Sequence, residues 1–314
     1  MKLRRLGSAK LMRPEHRLTL ALALSLLHYI VFYFAYGSNL DADNWVQWCE
    51  AKGYDPQSLE PLGRAWLPDY EPVFRYQSRL RKGGALDVRP RKGTATPGAL
   101  FRVHDWTALD AKEGLSGRYY RRFEVVALTD DGHAHPAVIY CVCDERLGSF
   151  VPPGPEYQEI VTRGLSRFGH GHDQFLAAAC GESSPSVTTA IFAYGTLMHG
   201  ERSHERVAQR LRRTHRPARV SGATLVRIDW YPGLVLNAEG VVHGELFEID
   251  DIGAALDELD SYEDFAGYRD DGSLYRRSLV RTHTNGGAML AWTYVFLGDA
   301  EDLPVIASGR WTDP

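Results

Sequence analysis

Two apolar runs mark the hydropathy pattern, Tyr29 to Tyr36 and Thr188 to Tyr194, and each closes on a tyrosine that precedes a glycine. Short apolar runs that end in a small-residue turn predict buried strands. Each run is followed by a polar stretch of helical character, Asp41 to Glu50 and Glu201 to Arg213. Short strands come next, ending in Gly98-Ala99-Leu100-Phe101-Arg102-Val103 and in Val242-His243-Gly244-Glu245-Leu246-Phe247. A short helix is predicted after each, Asp105 to Lys112 and Asp250 to Tyr262. Two further strands close each series, Arg122 to Leu128 with Pro136 to Val142, and Arg277 to Thr282 with Ala288 to Phe296. Strands and helices without regular β-α alternation predict an α+β chain, each half a small mixed sheet that is closed or barrel-like, with flanking helices.

The halves are versions of one domain. Phe34-Ala35-Tyr36-Gly37-Ser38-Asn39 returns at an offset of 158 (194 minus 36) as Phe192-Ala193-Tyr194-Gly195-Thr196-Leu197. Collinear landmarks keep pace. The offset from Tyr36 to Tyr120-Arg121-Arg122 is 84 (120 minus 36), and that from Tyr194 to Tyr275-Arg276-Arg277 is 81 (275 minus 194). From Tyr36 to Tyr140 it is 104 (140 minus 36), and from Tyr194 to Tyr294 it is 100 (294 minus 194). Gly181-Glu182-Ser183-Ser184-Pro185-Ser186 is small, polar and aperiodic, as a linker would be. The expected organisation is an N-terminal extension over 1–28, a first domain over 29–180, a linker over 181–187 and a second domain over 188–314.

Composition narrows the class. At 314 residues the chain has room for two cores. Its hydrophobic content of 44% and charged content of 24% are those of a globular protein. A formal net charge of −4 gives no support for a nucleic-acid partner. Cys49, Cys141, Cys143 and Cys180 fit neither a zinc spacing nor a disulfide framework, so a reducing, cytoplasmic setting is expected. Basic residues before the apolar stretch from Leu18 resemble an anchor, which leaves membrane association through residues 18–34 as the minor alternative. The part from Ile30 to Phe34 is needed as a strand. What remains, Leu18 to Leu27, is half of the ~20 residues that span a bilayer.

Candidate chemistry gathers at the two turns. A glycine followed by a hydroxyl residue exposes backbone N–H groups able to hold an anion or a carbonyl oxygen. The first half then offers a helix-end acid in Leu109-Asp110-Ala111-Lys112-Glu113-Gly114. The second offers overlapping versions, Leu256-Asp257-Glu258-Leu259-Asp260 and Leu259-Asp260-Ser261-Tyr262-Glu263. A carboxylate at the negative end of a helix needs a reason to be there.

These strings, with Val151-Pro152-Pro153-Gly154-Pro155-Glu156-Tyr157, resemble the gamma-glutamylcyclotransferase superfamily. The second half, with Tyr231-Pro232-Gly233-Leu234, His243-Gly244-Glu245-Leu246 and Ile306-Ala307-Ser308-Gly309-Arg310-Trp311, is closer to the AIG2-like, gamma-glutamylamine-cyclotransferase-like branch. There the acid commonly sits in Leu-Asp-x-Tyr-Glu-Gly, which favours Glu263 over Asp260, although Asp264 replaces the glycine. The resemblance implies cyclisation of gamma-glutamyl peptides or amines to 5-oxoproline and a free amine, with no metal or cofactor and a small-molecule substrate. It assigns Glu113 and Glu263 as acid-base groups. It places substrate on Tyr33, Phe34, Ala35, Tyr36, Gly37, Ser38 and Tyr157 in the first half, and on Tyr194, Gly195, Thr196 and Leu197 in the second. Strand alternation requires one of Tyr33 and Phe34 to be plain core. Gly37 is expected to be glycine because a side chain would obstruct close approach. The alternative is a non-catalytic binding or interaction scaffold on the same fold, since fold does not fix function.

Three other constellations read as structural. His170-Gly171-His172-Asp173 is expected to be a polar loop with Asp173 capping the next helix. Cys141 and Cys143 share a strand face and pack. Arg202, Arg206, Arg210, Arg212, Arg213, Arg216 and Arg219, interleaved with Glu201 and Glu205, read as a solvated helix face, and Arg75 to Lys92 is a second basic stretch.

Overall fold

The computed structural model describes residues 32–211, 215–270 and 272–312. The expected extension over 1–28 lies outside them. In the first half the order is β1 (Phe32–Ala35), α1 (Ala42–Lys52), β2 (Leu59–Ser78), β3 (Gly83–Val103), α2 (Thr107–Glu113), β4 (Tyr120–Leu128), β5 (Ala134–Val142), α3 (Pro155–Arg167) and α4 (Asp173–Ala179). The second half runs β6 (Ala190–Ala193), α5 (Glu205–Ala208), β7 (Arg216–Arg227), β8 (Pro232–Glu248), α6 (Ile252–Tyr262), β9 (Tyr275–Thr284) and β10 (Gly287–Phe296).

Each half closes into a five-stranded barrel of the same connectivity, β1-β3-β2-β4-β5 and β10-β6-β8-β7-β9. The motif strand is the keystone. It pairs antiparallel with the long hairpin strand, Phe34 opposite Leu100 and Phe192 opposite Leu246. On its other edge it pairs parallel with the last strand, Tyr33 opposite Val138 and Ile191 opposite Trp292. Closure removes free edges, so even a four-residue strand has a neighbour on both sides. A repeated glycine makes the close approach. A Cβ on Gly98 would lie 2.2 Å from the Ala35 carbonyl oxygen, and one on Gly244 2.1 Å from that of Ala193.

The halves share a seam of apolar and charged contacts. Trp66, Ala95 and Leu128 of the first half lie in a core cluster otherwise built by the second. Asp130 accepts from Trp66 Nε1 at 2.7 Å and also pairs with Arg281. Lys92 pairs with Asp260, and Asp69 pairs with Arg277. Between α4 and β6, Ser184 is buried and its backbone N–H donates to Glu71, so this polar stretch is tied down at its middle.

Two expectations about helices need correction. The stretch Glu201 to Arg213 holds only the short α5 among its described residues, and Arg216 and Arg219 lie on β7; positions 212–214 are outside the described residues. Asp173 is the first residue of α4 rather than its cap, and the cap position is His172, without a side-chain bond to the helix. His170 is buried, its Nε2 at 2.7 Å from the Gly98 carbonyl and its ring edge-on to Trp66. Arg75 to Lys92 spans the β2–β3 hairpin, where Arg75, Arg89 and Arg91 pair with the buried Asp87 and Glu71. No helix among the described residues is long and apolar enough to cross a membrane.

Candidate active sites

The two helix-end acids owe their position to the turns that stop their helices. α2 ends on Glu113 because Gly114 turns left-handed (φ 63°), a conformation open to glycine at little cost. α6 ends one residue before Glu263, and Asp264 takes the same left-handed turn (φ 53°). Asp is among the few L-residues that visit this region, so the turn survives the loss of glycine with modest strain. Each acid faces the Tyr-Gly turn of its own half.

In the first half Asn39 Nδ2 donates to Glu113 Oε1 at 2.7 Å and to the Tyr33 hydroxyl at 2.9 Å. Burial pushes the Glu113 carboxyl up, while Lys112, Asn39 and Arg81 oppose the rise. The Lys112 ammonium, pushed down to about 8 by burial, stands 5.4 and 5.3 Å from the rings of Trp45 and Trp48. Arg81 reaches in from the β2–β3 hairpin, donating to Ser38 Oγ at 3.0 Å with its guanidinium 5.0 Å from the Tyr157 ring. A Cβ on Gly37 would stand 3.4 Å from the Tyr157 hydroxyl. That is ordinary contact within the protein, so the glycine keeps open the space beneath Tyr157 rather than avoiding a clash.

Strand alternation sorts the remaining first-half candidates. Tyr33 presents its hydroxyl to Asn39, whereas Phe34 is fully buried and lies against Gly98. Ala35 is core. The Tyr36 side chain is occupied, its hydroxyl donating to the Tyr140 carbonyl at 2.5 Å. That leaves its backbone as the part that borders the turn.

The second half repeats this plan around a defined cavity of about 40 Å³. Tyr194, Gly195, Thr196 and Leu197 line it, with Glu263, Tyr231, Tyr262 and Tyr275. Burial pushes the Glu263 carboxyl up to about 8; Arg206 opposes the rise and Asp260 adds to it. Tyr194 donates to the Tyr294 carbonyl at 2.6 Å, as Tyr36 does to that of Tyr140. The residue three places after Tyr194 is Leu197, where the first half has Asn39, so its side chain brings no donor to the acid. Gly195 is tighter than Gly37, since a Cβ there would lie 2.6 Å from the Pro232 ring.

Of Glu263 and Asp260, Glu263 lines the cavity. Asp260 is engaged elsewhere. It accepts from Arg277 Nη1 at 2.9 Å and the Tyr294 hydroxyl at 2.7 Å, and it pairs with Lys92. The first half holds the same trio. Asp110 accepts from Arg122 at 2.7 Å and the Tyr140 hydroxyl at 2.6 Å. The repeated landmarks Arg122/Arg277 and Tyr140/Tyr294 thus converge on the aspartate three residues before each acid. Along the sequence they read as register marks only. Tyr120 and Tyr275 were not among the sequence candidates either, yet their hydroxyls donate to the equivalent Leu86 and Pro232 carbonyls at 3.1 and 2.8 Å. Their repetition in both halves was the available signal.

Comparison with known proteins agrees with this duplicated geometry. The family model described as gamma-glutamyl cyclotransferase, AIG2-like, matches twice, over residues 33–159 and 191–313. Gamma-L-glutamyl-butirosin B gamma-glutamyl cyclotransferase of Niallia circulans is 32% identical over 109 residues, 35% of this chain and 67% of that protein. The gamma-glutamylcyclotransferase family protein YtfP of Escherichia coli K12 is 34% identical over 124 residues, 39% of this chain and 96% of that protein. A solved gamma-glutamyl cyclotransferase structure is 25% identical and covers 45% of this chain and 80% of its own, with a TM-score of 0.39. With both halves matched by one family model, the chain belongs to the AIG2-like gamma-glutamyl cyclotransferase family, as a tandem of two such domains.

Proposed function

We propose that the chain is a gamma-glutamylcyclotransferase that closes a gamma-glutamyl amide into 5-oxoproline and releases the amine. The observation that carries this is the half-buried Glu113 held by Asn39 beside the Tyr36-Gly37-Ser38 turn. The nucleophile is the substrate's own α-amino group, and well-oriented intramolecular attack is worth an effective concentration of ~10⁵–10⁸ M. The site then has three tasks.

The α-ammonium, with an ordinary pKa of about 8, must first lose a proton. Glu113 takes it. Burial brings its carboxyl up toward the amine, which eases the transfer, and the Asn39 bond fixes one carboxylate oxygen. The amine attacks the γ-carbonyl and closes a five-membered ring. Backbone N–H groups of the turn hold the resulting oxyanion. Arg81 adds positive charge where the glutamyl carboxylate brings negative. Glu113 then returns the proton to the leaving nitrogen as the C–N bond breaks, and the second proton of the attacking nitrogen passes through Glu113 to the released amine, which leaves as an ammonium. The second half is a weaker or differently selective site of the same kind, with Glu263 as its acid-base group.

The test is 5-oxoproline release from a panel of gamma-glutamyl dipeptides, glutathione and gamma-glutamyl-lysine, with the wild type, Glu113→Gln and Glu263→Gln. Loss of first-domain turnover by about 100-fold or more in a folded Glu113→Gln protein is expected, in line with removal of a general base. Full activity in that variant sinks the assignment. An absence of product from the whole panel favours the scaffold reading.

A further inference from the structure

The arginine stretch that the sequence presents as a solvated helix face has another place in the fold. A bay of about 590 Å³ opens beside the second-half cavity, lined by Arg202, Arg206, Arg210, Glu258, Trp230 and Tyr262, among others. Tyr262 borders both spaces. Its hydroxyl lies 2.8 Å from Ser203 Oγ and 3.4 Å from Thr196 Oγ1, so it forms the partition between turn and bay.

The bay is charged and has aromatic walls. The Arg202 guanidinium lies 4.8 Å from the Trp230 ring, and that of Arg206 lies 4.2 Å from the Tyr262 ring. The planar N–H fork of arginine matches the two oxygens of a carboxylate. Arg206 stands 3.8 Å from Glu258, and Arg210 stands 3.7 Å from it. Both separations are longer than the contacts of a tight charge-assisted pair. The lining side chains include three arginines and two acids, Glu205 and Glu258. The field of Arg206 also reaches Glu263 in the inner cavity.

Under the proposed reaction, the glutamyl head fills the inner cavity, with its scissile nitrogen beside Glu263. The group on that nitrogen must leave past Tyr262. We propose that the bay binds this departing group and selects gamma-glutamyl amino acids, whose leaving nitrogen carries a carboxylated carbon, over gamma-glutamyl amines, whose leaving group carries no carboxylate. This rests on the reading of Glu263 given above. Arg206 grips the carboxylate with Arg202 beside it, and Trp230 offers a flat face to the side chain.

Binding separates this from turnover. A Glu113→Gln, Glu263→Gln protein is titrated by calorimetry with gamma-glutamyl-alanine and with gamma-glutamyl-ethylamine, which differs only by the lost carboxylate. The dipeptide is expected to bind about tenfold or more tightly, the worth of a charged hydrogen bond. Adding Arg202→Gln and Arg206→Gln, with folding checked by circular dichroism, removes that preference and leaves ethylamine binding unchanged. Equal binding, tighter ethylamine binding, no binding of either, or a preference that survives the arginine changes overturns the proposal. Carboxylate preference retained alongside a Glu113→Gln protein that releases no 5-oxoproline supports the bay and rejects turnover in the second half.

Discussion

Glu263→Gln gives the sharpest physical test of the second site. A carboxyl raised from 4.5 to about 8 keeps its proton in the folded chain and loses it in the unfolded one across that interval. The unfolded state therefore ionises first, and stability falls as pH rises from about 4.5 to about 8. Each pH unit contributes about 1.36 kcal/mol, so between pH 5 and pH 9 the wild type loses at most about 4 kcal/mol through this one group. Water drawn toward the ionised carboxylate lowers that ceiling, and about 2 kcal/mol is expected. Glutamine cannot ionise and removes the dependence. Urea unfolding of both proteins at pH 5, 7 and 9 cancels every titration they share. The advantage of Glu263→Gln over the wild type should grow steadily with pH. A difference that stays flat across this range refutes the desolvated carboxylate, and with it the placement of Glu263 in the cavity.

Asp260→Asn leaves Arg277, which has no exposed surface, short of a main charge partner. Breaking such a pair should cost about 3–5 kcal/mol in chemical denaturation. Asp110→Asn should cost about 1 kcal/mol or less. Its partner Arg122 is 37% exposed, and water replaces the lost contact. Gly114→Ala forces an L-residue to φ 63° with its Cβ 2.6 Å from the Tyr119 ring. That change should lower the urea midpoint by the equivalent of more than about 1 kcal/mol. Asp264→Gly relieves the matching turn at φ 53°. It should stabilise by up to about 1 kcal/mol, read as a rise in the same midpoint.

The strands and the repeat were legible along the chain because both are periodic and local. The runs ending at Tyr36 and at Tyr194 had to be buried, and in the structure their strands, Phe32–Ala35 and Ala190–Ala193, each sit between two strands of their own barrel. Helix ends were legible for a similar reason: Gly114 stops α2 at the acid. The arginine stretch misled because alternating charge mimics an exposed helix. Its described course is a short helix followed by strand β7, imposed by barrel closure rather than by local propensity. The seam between the halves was hidden altogether. Lys92 and Asp260 lie 168 residues apart, and no pattern along the chain announces that they meet.

That seam bears on the chemistry. Acids three positions apart at a helix end are neighbours in space, yet these two meet opposite environments. Asp260 is surrounded by Arg277, Lys92 and Tyr294, and its charge disfavours ionisation of Glu263 on the cavity side. Lys92 belongs to the first half. The first half therefore partly neutralises the aspartate beside the second acid, an influence on Glu263 smaller than those of its own burial and of Arg206. Glu113 is tuned from within. Asn39, Lys112 and Arg81 all favour its ionised form, and all come from its own half. Duplication kept the acid, the turn and the aspartate trio in both copies. What diverged is the shell around the acid: Asn39, Lys112 and Arg81 in the first copy, and Arg206 with Asp260 in the second.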